Sequence, residues 1–320
     1  MLLSRVALFM LLACCSVAAA APSVCVSQKV VTNGELCRIT PSSTYPGMID
    51  QSGSNQGFGD YVVALPTTPN NKLWINFGGA AAKPYLPSTG RYFNEPWLTE
   101  LMGQGYTVLD MAYDNEASVS QDCFANKDID NCAGLARQEV IFGDPVSTLR
   151  NTNKVNSVQH RLKTLIDYLK ANNFPLPKNA YPFKGWRNIG ISGHSQGSGV
   201  AYYLSKLYGT SIFGCFLGGP FDVPDEVPTI RPPAEYIADW YLLPANKTGI
   251  NKMGAFVTVD DDSYNQFTFT YNLAGLVKDT HWFEVDKVVY YNALGQVIDG
   301  HAAAVQDPSL ASYRAQACFR

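Results

Sequence analysis

The chain of 320 residues carries 24 basic and 27 acidic side chains, for a formal net charge of −3, and only 16% of its residues are charged. It has no basic run to hold a phosphate backbone, which excludes nucleic-acid binding as its function. Nearly half of it is hydrophobic, enough for one large core, but past residue 20 no apolar stretch is long enough to span a bilayer.

In chain order the first element is a leader. Arg5 supplies a basic start, residues 6–15 an apolar stretch too short to cross a membrane, and Ala18-Ala19-Ala20 a small-residue cleavage site. Residues 1–20 therefore read as a signal peptide. Their removal takes one arginine and no acid, moving the net charge from −3 to −4. Residues 21–320 read as a single domain, secreted or otherwise placed outside the cytoplasm.

From residue 60 the chain alternates strands and helices. Strands are expected at 61–65 and 72–77, the second running into Gly78-Gly79. Residues 96–102 form a helix stopped by Gly105, and 106–113 an apolar strand. Residues 115–153 show no clear periodicity. Residues 157–172 form the clearest helix: Val158, Leu162, Leu165, Ile166 and Leu169 recur at the 3.6-residue period, behind a cap at Asn156 or Ser157. A strand at 187–192, the stretch Gly193-His194-Ser195-Gln196-Gly197 and a helix at 198–207 follow. Further strands are expected at 211–217, 254–259 and 282–291. Alternation of this kind implies an α/β fold, a mostly parallel sheet with helices on both faces and its site at the strands' carboxyl ends. Residues 222–252 interrupt it with a proline-rich stretch (Pro224, Pro228, Pro232, Pro233) and an aromatic run, and suit a lid inserted over that site.

Six cysteines remain after the leader, an even number suited to disulfides in an exported chain. Short loops favour Cys25–Cys37 and Cys123–Cys132, leaving Cys215–Cys318. No Cys-x-x-Cys pair exists and only four histidines are present, so the sequence offers no metal site. Asn246-Lys247-Thr248 is a glycosylation sequon.

Gly193-His194-Ser195-Gln196-Gly197, set between a strand and a helix, has the form of a nucleophile elbow. A serine hydroxyl needs a base within hydrogen-bond reach, and the base needs an acid to fix its tautomer. His160 falls on the polar side of its helix, as solvated surface. His194 adjoins the serine with its ring expected to point away, a structural role. His281 opens the last strand. His301, in a small-residue loop past that strand, is the candidate base. The acid should lie between serine and base in the chain. Asp260-Asp261-Asp262 follows the strand at 254–259, and Asp262 is favoured, with Asp261 as its alternative. Asp222 is a more distant candidate, and Asp299 is too near His301 to orient its ring. Oxyanion donors are expected from the backbone N–H groups of Gln196 and Gly79.

Together the elbow, the Phe77-Gly78-Gly79 loop, the acid cluster 260–262 and Gly300-His301 resemble the α/β-hydrolase fold family, over residues 60–305, in the manner of secreted esterases and lipases. In one departure, Asn76-Phe77 stands where a histidine often precedes the glycines. The resemblance implies cleavage of a carboxylic ester, small-molecule or lipid-like, through an acyl-enzyme on Ser195, without a cofactor. A peptidase or acyltransferase on the same triad, or a non-catalytic binding protein, are the alternatives. Oligomeric state is left open.

Overall fold

The computed structural model describes residues 24–50, 58–178, 182, 186–210, 212–220, 222, 238–243 and 247–320. The expected leader, Asn246 and most of the 222–252 stretch lie outside the described residues.

The strands are β1 (Ser27–Val31), β2 (Gly34–Ile39), β3 (Tyr61–Pro66), β4 (Leu73–Phe77), β5 (Tyr85–Leu86), β6 (Arg91–Tyr92), β7 (Thr107–Met111), β8 (Ile189–His194), β9 (Gly214–Leu217), β10 (Met253–Thr258), β11 (Trp282–Val285), β12 (Tyr290–Tyr291) and β13 (Val297–Ile298). The helices are α1 (Pro41–Thr44), α2 (Glu95–Gly103), α3 (Val119–Ala125), α4 (Cys132–Phe142), α5 (Val158–Ala171), α6 (Gln196–Tyr208), α7 (Tyr264–Leu273), α8 (Gly300–Gln306) and α9 (Ala311–Cys318).

One sheet carries nine strands in the order β1-β2-β3-β7-β4-β8-β9-β10-β11. It is antiparallel from β1 to β7 and parallel from β7 to β11. Strands β4, β8, β9 and β10 are buried throughout, as expected of parallel strands covered on both faces. Alternate side chains enter two cores. Tyr61 and Val63 pack with α4, α5, α6 and α7, while Val62 and Ala64 pack with α2, α8 and α9. The clearest helix is α5: Ser157 accepts a hydrogen bond from the His160 N–H, and Leu162, Leu165, Ile166 and Leu169 are buried on one face.

Two expectations change. Residues 115–153 hold α3 and α4. Helix α4 escapes notice because it buries Arg137 and Glu139 alongside its apolar residues and so has no polar stripe. The expected strand 282–291 stops at Val285, where Asp286-Lys287 leaves the sheet; Tyr290 and Tyr291 pair instead with Ile298 and Val297. The segment ahead of residue 60, outside the resemblance, extends the sheet through β1 and β2.

The structure joins Cys25 to Cys37, Cys123 to Cys132 and Cys215 to Cys318. The last ties α9 to β9 and docks Phe319 on Trp97, with the rings stacked at 5.6 Å. Among the described residues no helix is long and apolar enough to cross a membrane, and no group of histidine, cysteine and acidic side chains could hold a metal.

Candidate active site

Ser195 sits between β8 and α6 with φ 53° and ψ −124°, a left-handed conformation that few non-glycine residues adopt. The two glycines of the motif are required by contact. A Cβ on Gly193 would lie 2.1 Å from the Gly197 backbone, and one on Gly197 would lie 2.2 Å from the Phe77 carbonyl. The turn thus compresses strand against helix and lifts the serine above the sheet, while the Ser195 N–H is held by the Leu217 carbonyl at 2.8 Å.

His301 stands in the first turn of α8, behind the cap in which Asp299 accepts from the Ala302 N–H. Its Nδ1 is 2.6 Å from Oδ2 of Asp261. Asp261 follows β10 in a turn closed by its N–H on the Thr258 carbonyl, and its other oxygen accepts from the Ser263 N–H at 2.9 Å. Its carboxylate is only 2% exposed. The favoured acid Asp262 is exposed at the rim, so Asp261, its alternative, is the one that meets His301. The turn aims the middle aspartate inward and its two neighbours outward. Asp260 is exposed too and takes the Tyr290 hydroxyl.

Burial depresses the pKa of His301, but the hydrogen bond and charge of Asp261, with Asp299 and Asp262 farther off, outweigh burial and hold it above the ordinary histidine value. Because a carboxylate accepts, His301 carries its proton on Nδ1 and keeps a lone pair on Nε2. Gly218, in the left-handed region at the end of β9, floors this pair: a Cβ there would touch both Nδ1 of His301 and Oδ2 of Asp261 at about 3.5 Å.

The glycine loop after β4 lies beside the serine, because Phe77 and Gly193 are partners in the sheet. A Cβ on Gly79 would come within 2.9 Å of Ser195 Cβ. Tyr113 donates its hydroxyl to the Gly78 carbonyl at 2.6 Å, and Asn115 donates to the carbonyls of Gly79 and Ala82. Asn76 turns away from this loop into the core, between Asp110 and Ser192. Ser195, His301, Asp261, Gly79 and Gln196 all line one cavity of about 680 Å³. Phe93 and Phe267 are its large apolar walls, while Ser118, Gln121, Asp262 and Asp299 make much of the rest polar.

The serine turn follows β8, the acid follows β10 and the histidine follows the β12–β13 hairpin beyond β11, around a sheet parallel from β7 onward. The order along the chain is serine, aspartate, histidine. The fold is the α/β-hydrolase fold. The chain matches no family model and no curated protein sequence. Among solved structures it is similar to an S-formylglutathione hydrolase from Agrobacterium tumefaciens, at 12% identity and TM-score 0.43, over 82% of this chain and 89% of that one. It is similar also to esterase B from Lactobacillus rhamnosis, at 14% and 0.38, over 81% and 80%. A hormone-sensitive lipase from a metagenome library gives 12% and 0.38, over 77% and 80%.

Sequence reasoning missed Arg137 on this hydrolase fold. Its side chain is fully buried, forms a two-pronged pair with Asp222 at 2.6 and 2.7 Å, and donates to the Gln196 carbonyl at 2.7 Å. The indole of Trp240 donates to the same carboxylate at 3.0 Å. Asp222, a candidate acid, is therefore engaged here rather than at His301. The one hint in the sequence is Gly199, where a Cβ would lie 2.3 Å from the guanidinium carbon. His281 and His160 stand apart from the serine. His281 accepts from the Val277 N–H, and His160, expected in solvent, is half-buried against the edge of Tyr45.

Proposed function

We propose that the protein is a secreted serine hydrolase that cleaves a carboxylic ester through an acyl-enzyme on Ser195. The observation that carries this reading is the His301–Asp261 pair in the same cavity as a strained serine at the head of α6. His301 accepts the Ser195 proton on Nε2 as the hydroxyl attacks the ester carbonyl. Asp261 fixes the ring's tautomer and stabilises the imidazolium that forms. The N–H groups of Gln196 and Gly79 face the developing oxyanion, the first with the N-terminal field of α6 behind it. The imidazolium then protonates the leaving alcohol. Water, activated by the same base, releases the acid.

The cavity volume supports a small-molecule or short-chain ester, and its polar walls favour such a substrate over a long alkyl one. Three disulfides and the leader-like start support an oxidising, extracytoplasmic setting. A fluorophosphonate probe is expected to label the mature protein at Ser195, with labelling lost in Ser195→Ala. An alanine variant that labels as well as the parent would overturn the assignment. Nitrophenyl esters of increasing chain length, run beside peptide amides, then separate esterase from peptidase.

A further inference from the structure

His194 precedes the nucleophile, and the steps above leave it without a part. The residue is only 3% exposed, and its ring centroid lies 4.8 Å from that of His301. Its Nε2 is 2.9 Å from the backbone carbonyl of His301. A carbonyl can only accept, so Nε2 must carry the ring proton, and Nδ1 is then a bare lone pair. That Nδ1 is buried and has no hydrogen-bond partner among the described residues. It faces Gly79, where a Cβ would come within 3.1 Å of it. The backbone of His194 is fixed at the end of β8, so its side chain is a rigid strut from the nucleophile's strand to the backbone that carries the base.

We propose that His194 is a positioning residue: through its Nε2–H on the His301 carbonyl it sets where the base stands relative to Ser195. This rests on the hydrolase reading above. Helix α8 is short and begins at Gly300, so its own hydrogen bonds hold its first turn weakly. The side chain of His301 is tethered by Asp261, but Asp261 belongs to the loop after β10. Among the described residues, His194 makes the one hydrogen bond that links the base directly to the strand that presents the serine. Burial, reinforced by the neighbouring charge of His301, drives the pKa of His194 down to about 3. The strut therefore stays neutral and donates throughout the working pH range, even while His301 is an imidazolium.

Two amide side chains divide the ring's two ends between them. Glutamine extends an N–H donor to about where Nε2 stands. Asparagine reaches only as far as Nδ1 and leaves the His301 carbonyl without its donor. His194→Asn is expected to lower kcat about 10- to 100-fold with KM little changed, since a displacement near 1 Å at the reacting groups costs about that much. The rate of fluorophosphonate labelling should fall by the same factor, because it needs the serine and its base but little of the substrate's binding. His194→Gln should restore most of both. Wild-type kcat in the asparagine variant, or a glutamine variant as slow as asparagine with both folded, would overturn the proposal. Should neither variant fold, nitrogen-resolved NMR of the unsubstituted protein decides: an Nε2–H tautomer with a proton protected from exchange is required, and an Nδ1–H tautomer refutes it. Labelling of Ser195→Ala would instead bring down the hydrolase reading itself, whichever way His194 behaved.

Discussion

Asp260, Asp261 and Asp262 are chemically identical and adjacent, and the backbone turn after β10 is what separates their fates. The middle carboxylate is buried on His301 while its neighbours face solvent. That difference sets a test. Asp261→Asn keeps the shape but offers the ring an amide that fits the wrong tautomer. On the proposed reading it should cost kcat about 10³- to 10⁴-fold, the loss typical of serine–histidine–aspartate sites. Asp262→Asn should cost less than about tenfold, its carboxylate acting only through a screened charge. The pH profile gives an independent reading. His301 must be neutral to accept a proton, so activity falls as pH drops through its pKa. In the parent that limb lies above the ordinary histidine value, because the bond and charge of Asp261 overcome burial. In Asp261→Asn burial loses its main opponent, and the limb of the residual activity should move to lower pH. Steady-state kinetics of both variants between pH 5 and 9 checks both effects, and equal losses in the two would refute the assignment of Asp261.

At the scale of elements, the chain advertises some of its parts and hides others for physical reasons. Strands β3, β4, β8 and β10 and helix α5 were legible, because each carries either an uninterrupted apolar run or a clean 3.6-residue stripe. The elbow was legible because its glycines answer a steric demand that only glycine meets. Helix α4 was not, since Arg137 is buried in it and a buried ion pair breaks the pattern of polar outside and apolar inside. The partner of Arg137 lies 85 residues away, a distance over which spacing says nothing. The choice between Asp261 and Asp262 hung on a turn of a few residues, and hydrophobic pattern does not specify turn direction. The Arg137–Asp222 pair also steadies the site from beneath, since Arg137 donates to the Gln196 carbonyl at the first residue of α6. Arg137→Ala leaves Asp222 buried without its cation and should cost about 3–5 kcal/mol, whereas replacing both partners by apolar residues should recover much of that loss. Urea unfolding of the single and double variants measures the difference. A double variant no more stable than the single would show that the pair itself, rather than the orphaned charge, matters.

The whole molecule is held across its sheet by a polar cluster that no step of the chemistry uses. Asp110 in β7 accepts from Asn76 in β4 and from Asn94 just before α2, and Asn76 accepts from Ser192 in β8. Ser192 in turn takes the indole N–H groups of Trp74 and Trp97. Among the described residues no cation reaches Asp110. Burial drives its pKa up to about 7, against which the hydrogen bonds from Asn94 and Asn76 act too weakly. The buried Oδ1 of Asn94 has no partner among the described residues. Turning that amide over would let a protonated Asp110 donate its hydroxyl to Asn94, at the cost of moving Nδ2 into the unpartnered position instead. The sign then follows from linkage. Between the ordinary carboxyl value of 3.8 and about 7 the folded protein binds a proton that the unfolded chain has lost, so this group's contribution to stability declines as pH rises through that window. Asp110→Asn imitates the protonated acid, its amide donating to Asn94 and its carbonyl accepting from Asn76, and should remove the decline. The melting temperature of the parent minus that of Asp110→Asn should therefore fall steadily from pH 4 to pH 7 and level off beyond. Groups common to both proteins cancel in that difference, so a flat line would mean that Asp110 is ionised throughout and that the buried network carries its charge after all.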